Sequence, residues 1–134
     1  MKINPMRQLG FMIAALLLAV AVPVYAHHSF AAIFDDTKPV KVQGVFTKML
    51  WVNPHVWFEV EVKDKNGKVQ NWRFEVNGTP TMSRAGWNRS SFIGEEVIIE
   101  GHQARQLIVN GVYLGHANRV TLEEGNRVVF GEKP

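Results

Sequence analysis

Five histidines and no cysteine set the chemistry open to this chain. Without thiols it has neither disulfides nor thiolate metal sites, so any metal centre must use nitrogen and oxygen donors. Two of the histidines are adjacent, in Val24-Tyr25-Ala26-His27-His28-Ser29-Phe30, directly after what reads as a cleavage site. A cut after Ala26 makes His27 the first residue. Its α-amine (ordinary pKa about 8) and its imidazole (about 6.5) both yield their protons readily to a metal, and they form two arms of a chelate that a distant histidine completes. His28 offers a competing arrangement, in which the amine, the deprotonated His28 amide and the His28 imidazole hold Cu(II) in a plane. Copper is the metal expected, because Cu(II) heads the divalent affinity order and accepts tetragonal nitrogen sites; zinc comes second.

The leader that would expose His27 has three parts. Lys2 and Arg7 form a positive head, Phe11–Val22 is an unbroken apolar run of twelve, and Pro23 precedes small residues. A bilayer-crossing helix needs roughly 20 residues, so residues 1–26 read as a signal peptide, the product as periplasmic or secreted, and no membrane span is expected after cleavage. A cut one or two residues away would leave His27 and His28 as ordinary tail residues. Removing 26 residues from 134 leaves 108, enough for one domain with a single core. The mature part carries thirteen basic and twelve acidic side chains without clustering, which excludes phosphate-driven binding of nucleic acid.

Those histidines must be positioned by strands, because from Val40 the dominant period is two. Residues 27–39 are expected as an N-terminal arm and 40–134 as the folded domain. Val40–Val52 is a long first strand with Gly44 as its bulge. His55–Val62 alternates, with Val56, Phe58, Val60 and Val62 on one face, and Gln70, Trp72, Phe74 and Val76 form the inward face of a third strand. An antiparallel hairpin then sets Phe58 opposite Phe74 and Val60 opposite Trp72. Thr79–Gly86, with a capping threonine, Pro80 and a terminal glycine, predicts a short helix. Glu95–Val109 and Val112–Leu122 form a long hairpin around Asn110-Gly111, and Arg127–Phe130 adds a last short strand. The expected fold is mainly β: a small, OB-fold-like, partly open barrel of about five strands, with one short helix between strands three and four. A generic sandwich or roll is the rival.

The segments HHSFAAIFD, WVNPHVWFEVEV, Gly86-Trp87 and GEEVIIEGHQAR resemble an uncharacterised family of small exported bacterial proteins over nearly all of the mature chain. That resemblance implies an envelope location and a single β-rich domain, and brings no activity or mapped site. The amine-plus-imidazole start also resembles, over one residue, the histidine brace of copper-dependent polysaccharide monooxygenases and of some periplasmic copper carriers.

A two-residue turn at Asn110-Gly111 with an unbroken ladder would pair Arg105 with His116 and Gln103 with Asn118, a polar break in an apolar stripe. It is either the point where the hairpin leaves the core or a functional site. The same register turns His102 to the opposite face. His55 follows Asn53-Pro54 in the strand-one-to-two connection, where OB-folds meet ligands. His27, His55 and His116 are therefore the leading metal-ligand candidates, then His28, with His102 last. Trp51 and Trp57 lie off the core face; with Arg105 and Asn118 they make a candidate ligand or partner surface, unless a second layer covers them. No nucleophile elbow, metalloprotease helix or phosphate loop occurs, which favours a binding protein over an enzyme. The expectation is a periplasmic protein that handles or delivers copper. The alternative is a metal-free envelope module binding a small ligand or a protein partner through the aromatic face of strand two.

Overall fold

Alternating burial along Trp57–Lys63 and the first half of Glu96–Val109 gives the barrel its inside and outside. The computed structural model describes residues 30–131, so the expected signal peptide, His27 and His28 lie outside the described residues. From Phe34 onward the chain forms one compact unit. Its elements are β1 (Phe34–Leu50), β2 (Trp57–Lys63), β3 (Val69–Glu75), α1 (Thr79–Arg84), β4 (Glu96–Val109), β5 (Val112–Leu122), a 3-10 turn (Glu124–Asn126) and β6 (Arg127–Phe130). β1 pairs antiparallel with both β2 and β4, β2 with β3, and β4 with β5; a parallel β3–β5 pairing closes the circuit, and β6 adds to β5. This is the five-stranded OB topology, with the helix between strands three and four.

Phe46, Val56, Phe58, Val60, Trp72, Phe74, Val97, Ile99, Ala117, Val120 and Leu122 share one buried cluster. The expected pairs Phe58 with Phe74 and Val60 with Trp72 are present. Met82 of α1 joins the same cluster, as does Trp87, whose Nε1–H donates to the Val129 carbonyl at 3.1 Å. Asn110 (φ 50°) and Gly111 (φ 79°) make the tight turn, both in the left-handed region that a type I′ hairpin requires. Among the described residues no helix is long and apolar enough to cross a membrane.

Several local expectations are corrected. β1 starts at Phe34, not Val40, because the stretch before Val40 pairs with the far end of β4. The β1 bulge against β2 falls between Phe46 and Lys48 rather than at Gly44, where a β-carbon would collide with the Glu61 carbonyl. Thr79 does not cap α1; Gly78 holds that position, and the Thr79 hydroxyl donates to Asn53 Oδ1 at 2.8 Å.

Candidate functional site

The β4–β5 ladder is not continuous. Val109 and Val112 pair beside the turn, but the register slips between Gln103 and Ile108 and again between Glu100 and Gly101. Consequently His116 faces His102, and Gln103 faces Gly115. The expected pairs of Arg105 with His116 and Gln103 with Asn118 are absent, since a bulge absorbs the excess length of β4 next to the turn. The second bulge leaves Asn118 unpaired between Ala117 and Arg119. Gly101 makes this packing possible, because a β-carbon there would collide with the His116 carbonyl.

With this register, one row of side chains crosses the outer wall. Leu50 pairs with Trp57, Trp57 with Glu75, Glu75 with His116, His116 with His102, and His102 with Pro39. These residues are backbone partners from strand to strand, so the row runs across the wall without a break in register. Their strand neighbours Phe58, Phe74 and Ala117 point into the core. The β3–β5 closure is what brings Glu75 to His116.

Glu75 is only 7% exposed although it stands on the outer side of the wall. His55 covers it, with its Nδ1 in hydrogen-bond contact with Glu75 Oε1. Burial pushes the Glu75 carboxyl above its ordinary range, and His55 pulls it part of the way back. The His55 backbone has little freedom, since its neighbour Val56 donates to the Asn77 carbonyl at 3.1 Å and accepts from the Val76 amide at 2.9 Å.

His116 is half-buried, its ring centroid 5.4 Å from that of Phe34. Burial lowers its pKa below 6.5; Asn118, whose Oδ1 lies 3.4 Å from His116 Nδ1, works against this, and His102 and His55 lower it further by charge. The imidazole is therefore neutral at pH 7, as metal ligation requires. His102 Nδ1 is buried without a hydrogen-bond partner, as is Arg119 Nε, and both residues line a cleft of about 370 Å³ with Glu100, Gly101 and Asn118. Among the described residues, no group of three His, Asp or Glu side chains is arranged to hold a metal by itself.

Thus His55 contacts Glu75, His116 is the backbone partner of Glu75, and His102 lies on the outer side as expected, where the slip next to the turn brings His116 out to face it. Sequence reasoning passed over Glu75 because alternation placed it with the solvated residues Asn71 and Arg73. Trp57 is half-buried at the far end of the row and helps to line a separate apolar cleft of about 320 Å³ with Leu50, Val52, Arg73 and Leu114. Trp51 packs against the core cluster. Arg105 is exposed, with its Nη1 3.7 Å from Asp35 Oδ2.

Fold and site together define an OB-type barrel whose outer wall carries three histidines and a buried carboxylate. The chain belongs to a family of unknown function, DUF6152, which matches residues 14–113. No curated protein and no solved structure gives a match.

Proposed function

We propose that this is a periplasmic metal-binding protein that handles or delivers copper, with zinc as the second candidate, through a mature N-terminal His27 acting with His116 and His55. The observation that supports this reading is the contact of His55 with Glu75 together with the β3–β5 pairing, which sets His116 opposite Glu75 in backbone register, with His116 held neutral by burial. Imidazoles near a carboxylate suit Cu(II) and Zn(II). His116 and His55 offer two donors, and a chain-terminal histidine would add two more at once, its amine and its imidazole. His27 precedes Phe34 by seven residues, a tether of up to roughly 25 Å at about 3.5 Å per residue, and Phe34 packs against His116.

Mass spectrometry of the exported protein should give a chain beginning at His27. Adding one alanine before His27 keeps every side chain but separates the α-amine from the imidazole. Cu(II) affinity, read by competition titration, should fall about tenfold or more, equivalent to 1.4 kcal/mol. His116→Ala and His55→Ala should weaken it as well. The observed register adds His102→Ala to that group, although an unbroken ladder would make it silent. If only the added alanine or a change at His28 matters, copper is held by the tail alone.

The apolar cleft at Trp57 supports a second reading, a metal-free envelope module that binds a small ligand or protein partner there. Copper affinity indifferent to all of these changes would favour it.

A further inference from the structure

Glu75 is an expensive residue to keep in a barrel wall. It is 7% exposed, its strand neighbours Phe74 and Val76 are core, and an apolar side chain would serve the packing without desolvating a carboxylate. Among the described residues its hydrogen-bond partner is His55, and the contact is made through Nδ1. The His55 side chain is 50% exposed, while the chain on either side of it is tied down at Asn53 and Val56. With the backbone fixed, what remains free at His55 is ring rotation and the choice of tautomer. A carboxylate at Nδ1 decides both, since it accepts a hydrogen bond from Nδ1–H and leaves the lone pair on Nε2.

We infer that Glu75 is the positioning residue of His55: it selects the Nδ1–H tautomer, which free histidine disfavours, and so presents Nε2 outward as the nitrogen that meets a ligand. The metal part of this inference rests on the proposed function; the tautomer part does not. Glu75 is also the backbone partner of His116 across the β3–β5 closure, so the residue that orients His55 sits at the strand position opposite the second histidine.

Long-range nitrogen–proton correlation spectra of the metal-free protein read the tautomer directly. His55 should appear as Nδ1–H in the unaltered chain and in Glu75→Gln, which keeps an acceptor oxygen, and should move toward Nε2–H in Glu75→Leu. An unaltered chain with His55 as Nε2–H overturns the inference without any variant, and so does a Glu75→Leu protein, folded by circular dichroism, whose tautomer does not move. In the Cu(II) titration, Glu75→Leu should lose about 10–100-fold in affinity, the usual cost of removing the partner that orients a ligand, with Glu75→Gln losing less. His55→Ala in the same assay separates the two failures. If it leaves affinity unchanged, the metal reading of His55 fails while the tautomer result stands. If it weakens binding and Glu75→Leu does not, the positioning role fails.

Discussion

Phe58, Phe74 and Ala117 are sealed inside the barrel at 0% exposure, and the next residue along each of their strands, Trp57, Glu75 and His116, stands outside in the polar row. The inner side is a sum of many small, non-directional burials, which need only apolar residues of about the right volume. The outer row depends on which residue faces which, and that is set by bulges and by a pairing between strands distant in sequence. One face specifies the fold and the other the candidate site, so they should respond to mutation in opposite ways.

The largest expected effect is on the inner face. Phe58→Ala should cost about 3–5 kcal/mol in chemical denaturation, because Phe58 stacks on Phe46 at 4.8 Å and on Phe74 at 5.7 Å and leaves a cavity when truncated. His116→Ala should cost much less while weakening copper binding. If the two variants destabilise alike, the outer row is structural and the distinction between the faces collapses.

The inner face could be read in the sequence almost residue by residue, because alternation is local: Val56, Phe58, Val60, Trp72, Phe74, Val97, Ile99, Val120 and Leu122, all expected inside, are buried together. His116 and His55 could be picked out by residue type and by their places on the chain. Their relation to Glu75 could not. For His116 it arises from the parallel β3–β5 pairing, which joins segments some forty positions apart and has no turn to announce it, and for His55 from the pairing of Val56 with Val76 and Asn77. His102 keeps the outer face that an unbroken count from Asn110-Gly111 gives it; the same count sets His116 on the apolar face, and the slip between Gln103 and Ile108 turns His116 outward to meet it.

An intermediate effect is expected where the two faces meet. Gly101 pairs with Ala117 on the inner side of the wall, and its missing β-carbon admits the His116 carbonyl. Gly101→Ala should cost about 1–3 kcal/mol, as overpacking does, and should also displace His116 relative to His102. Copper affinity should therefore drop more than for a core variant of equal stability, such as Ile99→Val with a second conservative change. Equal affinity in the two would mean that the register at this bulge does not govern the row.

The smallest effect is a slope rather than a step, measured on metal-free protein as unfolding free energy against pH. Burial lowers the His116 pKa below 6.5, so between that lowered value and 6.5 the unfolded chain binds more protons than the folded one. The stability contributed by a neutral His116 is thus present above about 6.5 and lost as the pH falls through that window. Glu75 has the opposite sign. Burial raises its pKa above 4.5, so between 4.5 and the raised value the folded chain binds more protons, and acidification through that window favours folding. The wild-type profile contains both slopes, and variants separate them. On going from pH 7 into the acid range, His116→Asn should lose less stability than wild type, because the group that must charge on unfolding is gone. Glu75→Gln should lose more, because the carboxyl that offsets the loss is gone. Parallel profiles for all three proteins, or the reverse order, would show that His116 and Glu75 are not buried as the row requires, and the outer wall would then be an ordinary solvated face.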